Sequence, residues 1–377
     1  MTTLVIGHDQ FDRSMKNRMI QINTHQNLTA VLPQHLIVEH ILPRIPVKPL
    51  FRFKIVCKFW NSIISSYEFA QTHLKFSSLC PQFVVLNQDH RVNENYYSFD
   101  FKLFLLPFDR NDCVGELVRL DFDQNWVFTV IDIVGSCNGL LCFYLEVESR
   151  YSSFIVWNPV TRQCREIKVP VGEDLCLDYG FGYVSLIDDY KIVAQFSQRK
   201  LGGGYLYVFS LRTGEWKSID KFDDVIIVIN DTFNWLRKSM NDWQNPKCIL
   251  GFDLVDDKLK EIPWISCFNQ YKRGYFFGMK GCVSFYCEGD QGSDVWVLNQ
   301  YGDKNSWKKL FSVNLGEMSF LNFTETGKCL VETSGKLGVI DSSQESPEES
   351  QVGACFSGQI AATGVYVESF ISPFVNQ

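Results

Sequence analysis

The chain has no histidine after His90. Its six histidines are His8, His25, His35, His40, His73 and His90. Residues 91–377 therefore cannot assemble a Ser-His-Asp or Cys-His nucleophile by themselves. The 13 cysteines are irregularly spaced and never form C-x-x-C, so nothing in their spacing calls for zinc. Cys137/Cys142 and Cys282/Cys287 read as small buried strand residues. With no signal peptide in view, the thiols are expected to be reduced, in the cytoplasm or nucleus. No apolar run approaches the ~18 residues of a membrane span, so no membrane association is expected.

Positive charge is scarce and unevenly placed. The whole chain carries −7, residues 1–27 carry +1 and residues 28–75 carry +4, which leaves −12 for residues 76–377. An acidic C-terminal region argues against nucleic-acid binding, which needs cations along a face. No phosphate loop is present. Gly202-Gly203-Gly204 runs into Tyr205 rather than Lys-Ser/Thr and reads as a hairpin tip. Asp188-Asp189 precedes a strand pattern, where adjacent side chains point to opposite faces, so it reads as a turn and not an acid/base pair. Asp253, Asp256 and Asp257 lack the Gly and Glu offsets of a calcium loop. No catalytic residue, metal or cofactor is expected.

What the chain does have is size and aromatic content. Its 377 residues are 46% hydrophobic and include 31 Phe and 9 Trp, enough for two domains and a β-rich core. Residues 1–27 lack periodicity and read as a flexible arm. Residues 28–76 read as a small helical unit, with helices over 33–42, 47–58 and 60–65 and a fourth over 69–76. Pro43 is expected to end the first helix at Leu42. Pro49 is expected to sit in the first turn of the second. The stretch LPQHLIVEHILPRIPVKPLFRFKIVCKFW, 32–60, carries more apolar surface than so short a unit can bury, which implies a partner. His35 and His40 read as helix-surface residues.

From Phe83 to the end the period becomes two. A strand, a polar turn and a second strand recur around Trp157, Phe209, Phe252, Leu298 and Ile340, at intervals of 52, 43, 46 and 42 residues. Phe99-Asp100 anchors an earlier copy. A further strand run precedes each couplet, at 139–145, 190–196, 232–236, 282–288 and 329–332. Six anchors at a period in the forties suggest six blades of a β-propeller, with residues 352–372 supplying a strand that closes the ring. A β-sandwich is the alternative. The fold class is thus mainly β, over residues 83–377, behind a small N-terminal α unit.

Two resemblances join these halves. Residues 32–60, followed by Ser62-Ile63-Ile64-Ser65-Ser66 and Phe69, resemble a plant-type F-box, a three-helix unit. The resemblance implies docking on a Skp-type adaptor, and through it a cullin. The positions it carries over are Leu32, Pro33, Leu36, Ile41, Leu42, Ile45, Pro46, Leu50, Val56 and Trp60. Gly135-Ser136-Cys137-Asn138-Gly139-Leu140-Leu141-Cys142, Trp157-Asn158-Pro159-Val160-Thr161-Arg162, Gly180-Phe181-Gly182-Tyr183, Val295-Trp296-Val297 and Tyr366-Val367-Glu368-Ser369 resemble the plant F-box-associated domain, in family order. The pair implies a non-catalytic receptor that brings a target protein to a ubiquitin ligase. Trp, Tyr and Arg dominate protein interfaces, so Trp235, Arg237, Trp243, Tyr271, Arg273 and Tyr275 are the candidate target contacts, expected on loops.

Overall fold

The computed structural model describes residues 32–77, 82–93, 96–107, 118–120, 130–147, 151–170, 175–197, 204–222, 226–229, 249–253, 255, 257–262, 265–271, 273–279, 282–290, 292–300, 303–313, 319–323, 328–333, 336–341, 350–355 and 359–374. The proposed arm lies outside them. The chain divides into two compact units, residues 1–79 and 80–377.

In the first unit a helical run, α1, begins at Gln34–Leu36, widens over Ile37–Ile41 and tightens over Leu42–Arg44. Three helices follow: α2 (Val47–Lys54), α3 (Lys58–Ile64) and α4 (Tyr67–Ser77). The widened turn ends with Leu42 as its cap, where the helix was expected to end, and a separate tight turn follows over Leu42–Arg44. Leu42 keeps right-handed helical angles, and its N–H reaches back five residues to Ile37. Proline has no N–H, and its ring would strike the carbonyl four residues back in a regular turn. A widened turn before Pro43 is one of the known accommodations. Pro49 does lie in the first turn of α2, where its missing N–H costs little.

Among the described residues the second unit holds six sheets, each of consecutive strands apart from one strand that the last segment adds to the first sheet. Sheet one holds β1 (Gln82–Asn93), β2 (Tyr96–Pro107) and β3 (Val118–Leu120). Sheet two holds β4 (Val130–Cys137), β5 (Leu140–Val147), β6 (Tyr151–Trp157) and β7 (Cys164–Lys168). Sheet three holds β8 (Leu175–Val184), β9 (Asp189–Ser197), β10 (Gly204–Ser210) and β11 (Glu215–Phe222). Sheet four holds β12 (Ile226–Ile229), β13 (Ile249–Asp253) and β14 (Lys258–Ile262). Sheet five holds β15 (Arg273–Met279), β16 (Cys282–Gly289), β17 (Gly292–Leu298) and β18 (Trp307–Val313). Sheet six holds β19 (Ser319–Phe323), β20 (Lys328–Thr333), β21 (Lys336–Asp341) and β22 (Ser350–Cys355). The last strand, β23 (Gln359–Tyr366), returns to sheet one and pairs antiparallel with β1, Gln82 opposite Tyr366.

This is the expected propeller with its closing strand. The six anchors fall in β2, β6, β10, β13, β17 and β21, and four of the five preceding runs fall in β5, β9, β16 and β20. The fifth, 232–236, lies outside the described residues. Sheet four departs from the pattern, because β12 pairs parallel with β13. The first strands meet their neighbours: β19 lies against β23, β23 against β4, β4 against β8 and β8 against β12.

Burial separates a propeller from a sandwich. A two-sheet sandwich buries one face of each sheet, whereas sheet one is buried on both. From β1, Val84 and Leu86 join Leu141, Phe143, Ile155 and Trp157 of sheet two. Their alternates Phe83 and Val85 join Leu321, Leu330, Leu337 and Val339 of sheet six. Sheets five and six meet through Tyr286 stacked on Phe320 at 4.2 Å and Phe277 on Phe323 at 5.0 Å. Sheets two and three meet through Tyr144 stacked on Tyr179 at 5.3 Å, and the Tyr179 hydroxyl donates to Asp132 at 2.5 Å. Burial pushes the Tyr144 hydroxyl up to about 12, against the hydrogen bond to Ser152, and drives that of Tyr179 higher still. Both are neutral core phenols.

After β23 the chain runs on as a buried tail, and the signature motifs hold it. Asn138 and Gly139 make the β4–β5 turn with φ of 52° and 83°, the Asn-Gly pairing a two-residue hairpin favours. The Ser369 hydroxyl donates to the Asn138 carbonyl at 2.6 Å. A Cβ on Gly139 would lie 2.1 Å from the Ser369 oxygen, so the tail needs glycine there. Asn158 is fully buried. Its amide nitrogen donates to the carbonyls of Ser369 at 3.0 Å and Ile371 at 2.6 Å. Its oxygen accepts from the backbone of Val160 at 2.8 Å and Thr161 at 3.2 Å. Arg165 then ties Leu211 to Pro373 through their carbonyls, at 2.6 and 3.4 Å.

Asn158→Ala should therefore cost about 3–5 kcal/mol, since it orphans buried groups worth about 1–3 kcal/mol each. Thermal melting of the full chain checks this. Unchanged melting would mean that the tail is not part of the core.

Candidate functional site

In the helical unit, local chemistry sets each helix start. Pro46 precedes α2 with extended backbone. Cys57 caps α3, its sulfur accepting the Trp60 N–H at 3.4 Å. The Ser66 hydroxyl accepts the Phe69 N–H at 3.2 Å as α4 begins. Ile37, Leu42, Val47, Leu50, Trp60, Ile64, Phe69 and Ala70 form the buried interior.

That interior divides the ten positions carried over from the F-box resemblance. Leu42, Leu50 and Trp60 are buried, so they hold the unit together and offer no surface. Leu32, Leu36 and Ile45 are half-buried, while Pro33, Ile41, Pro46 and Val56 are exposed. Sequence reasoning missed Ile55, which is 86% exposed beside Val56 at 59%. Phe51 is exposed as well. The missing signal was available, for Ile55-Val56 directly follows the last turn of α2, where its apolar side chains have no helical neighbours to cover them. Lys48, Arg52 and Lys58 are exposed on the same helices. Burial lowers the pKa of Lys54, whose ammonium lies 5.4 Å from the Phe51 ring centre. The unit therefore presents exposed apolar side chains among cations, a surface suited to an acidic partner with apolar pockets.

In the β-domain the proposed target contacts are not brought together as loops. Trp235, Arg237 and Trp243 lie outside the described residues. Tyr271 is only 7% exposed. It joins the cluster of Phe268, Phe285 and Trp307, and its hydroxyl donates to Asp294 at 2.5 Å. It is a core residue. Arg273 and Tyr275 belong to β15, opposite Glu288 and Tyr286 of β16, and so are strand positions rather than loop positions. Burial removes Tyr271 from the candidate surface. Burial pushes Asp294 up, but hydrogen bonds from Lys309, Tyr271 and Ser312 outweigh it, leaving its pKa below the ordinary carboxylate value.

Residues that could suggest chemistry have structural duties. Asp188 sits in the β8–β9 turn at φ 49° and accepts from the Tyr183 hydroxyl at 2.7 Å. Asp189 is buried and accepts from the Ser210 hydroxyl at 2.5 Å and the Arg212 backbone at 2.9 Å. Asp257 pairs with Lys191 at 2.6 Å and Lys217 at 3.3 Å. Cys137, Cys142 and Cys287 are buried, and burial raises the thiol pKa of Cys142 and Cys287. Among the described residues no three His, Cys, Asp or Glu gather as a metal-ligand set, and no helix is long and apolar enough to cross a membrane.

Comparison with known proteins covers both units. Residues 32–72 match the F-box domain family, and residues 83–364 match the F-box associated beta propeller domain family. The F-box/kelch-repeat protein At3g23880 of Arabidopsis thaliana is 31% identical over 304 residues, covering 73% of this chain and 78% of that protein. F-box protein CPR1 of the same plant is 27% identical over 320 residues, covering 75% and 73%. Among solved structures, TolB from Acinetobacter baumannii aligns with a TM-score of 0.44 and 10% identity, over 80% of this chain and 73% of that one. That likeness is too distant to bear on function.

Proposed function

We propose that this chain, which belongs to the F-box proteins carrying an F-box-associated β-propeller domain, is the substrate receptor of a Skp–cullin–F-box ubiquitin ligase. The helical unit docks on a Skp-type adaptor. The propeller binds a target protein. The chain transfers nothing itself; it raises the effective concentration of target lysines near a ubiquitin-charged enzyme held elsewhere in the assembly. Such a protein works in the cytoplasm or nucleus.

The observation that carries this reading is the exposed Phe51, Ile55 and Val56 among cations, on a unit whose residues 32–72 match the F-box family. A non-catalytic role is supported by the absence of histidine after His90 and by the structural duties of Asp188, Asp189 and the buried cysteines.

Purification of the tagged full chain from plant cells tests the assembly. Adaptor and cullin together support the ligase reading. Adaptor without cullin supports a receptor acting outside a ligase, and neither sinks both. Deletion of residues 28–75 should keep target binding, stop ubiquitination and raise target abundance. Proximity labelling under proteasome inhibition, with and without the deletion, reads this out. Undiminished ubiquitination by the deleted chain would end the receptor reading.

A further inference from the structure

The link between α1 and α2 has an acceptor that its own helices cannot satisfy. Ile45 is extended, with φ −85° and ψ 134°. Its N–H bonds to the Leu42 carbonyl at 3.1 Å. Its own carbonyl has no donor four residues ahead, because that residue is Pro49. The donor comes from 28 residues along the chain. The His73 Nε2 lies 3.0 Å from the Ile45 carbonyl. A carbonyl only accepts, so Nε2 carries the proton and Nδ1 accepts from the Ser77 hydroxyl at 3.0 Å. The imidazole is 2% exposed and stacked on Phe69 at 6.0 Å.

We propose that His73 is a positioning residue for adaptor docking, fixing the Ile45–Pro46 link so that half-buried Ile45 and exposed Pro46 are presented in one conformation. The proposal rests on the reading of this unit as the adaptor-binding half. His73 touches the partner nowhere in this scheme. It acts through the Ile45 carbonyl, and the affinity it contributes comes from removing the disorder the link would otherwise lose on binding.

Burial lowers the imidazole pKa below its ordinary 6.5, and the Ile45 hydrogen bond opposes this in part. The charged and titratable residues on the surrounding elements are His35, Glu39, His40 and Arg44 on α1, Lys48, Arg52 and Lys54 on α2, Lys58 on α3, and Glu68 and Lys75 on α4, all exposed but half-buried Lys54. A base whose folded pKa is depressed leaves the fold at full stability above the unfolded value. Stability then falls as pH drops from about 6.5 towards the folded value. Protonation leaves the Nε2–H bond to the Ile45 carbonyl in place and removes only the acceptor for the Ser77 hydroxyl.

The test uses the full chain and a purified Skp-type adaptor. His73→Phe keeps the ring and its stacking but removes the donor. It should raise the adaptor Kd about tenfold with unchanged helical circular dichroism. His73→Gln places an amide nitrogen near the Nε2 position. It should restore affinity to within about twofold of native. Native affinity in His73→Phe overturns the proposal. If that variant loses helical signal, His73→Gln decides: recovery supports the proposal, and a loss above tenfold at native circular dichroism overturns it. Ile45→Asp separates this from the parent reading. If it also binds the adaptor normally, the docking assignment itself has failed.

Discussion

A chain ending at Pro347 should not give a soluble monomer. It loses β22, β23 and the buried tail together. β1 then shows a bare edge over the seven positions that β23 had covered, from Gln82 to Gln88, and unpaired edges recruit other chains. Tyr366 leaves the cluster between sheets one and two, and the contacts of β23 with β4 and β19 go with it. Asn158 and Asn138 lose their tail partners. These losses together exceed the ~5–15 kcal/mol that a domain has in hand. Size-exclusion chromatography and thermal melting against the full chain are the measurements. A truncated protein that is monomeric and melts cooperatively would mean that the ring closes without its last strand.

Val56→Asp should have the opposite signature, leaving the fold intact and abolishing adaptor binding. Val56 is exposed beside Ile55, so a carboxylate there stays hydrated in the free chain. Against an apolar pocket it would be buried without a partner, at a cost of about 3 kcal/mol or more, over a hundredfold in Kd. Ile55→Asp should match it. Leu36→Asp and Ile45→Asp should also abolish binding, but both residues are half-buried, so part of their effect is on the unit itself. The exposed pair therefore discriminates best. Calorimetric titration with a Skp-type adaptor reads the affinity, and circular dichroism confirms the fold. Native affinity in both Val56→Asp and Ile55→Asp would remove this surface from the docking site.

Much of the architecture was legible because propellers repeat. The anchors Trp157, Phe209, Leu298 and Ile340 recur at blade spacing because every sheet needs a third strand buried between neighbours. The helices were legible for a different reason: proline and the capping residues punctuate them. Pro43 marked the boundary at Leu42, though Leu42 itself keeps helical angles. In the widened turn before Pro43 the Leu42 N–H still finds the Ile37 carbonyl, and Leu42 stays buried.

The candidate site was less legible. Exposure is a property of packing, and sequence cannot separate a buried Tyr271 from a surface tyrosine when both sit among aromatics. The same ambiguity placed Leu42, Leu50 and Trp60 with the contact residues. The roles of Asn158 and His73 were invisible for want of their partners. Each acts on a backbone carbonyl far along the chain, 211 and 28 residues away respectively, and carbonyls leave no trace in a sequence.

The closing pair β1–β23 sets the order in which this protein becomes useful during synthesis. The helical unit is complete once residue 77 has been made. The ring cannot shut until Tyr366 and the tail behind it emerge, almost 300 residues later. At about 5–20 residues per second that interval lasts roughly 15–60 seconds. Throughout it, β1 waits for a partner not yet translated, with its edge open to neighbouring nascent chains. A premature stop before Gln359 therefore leaves a polypeptide with a finished first half and an unfinished second.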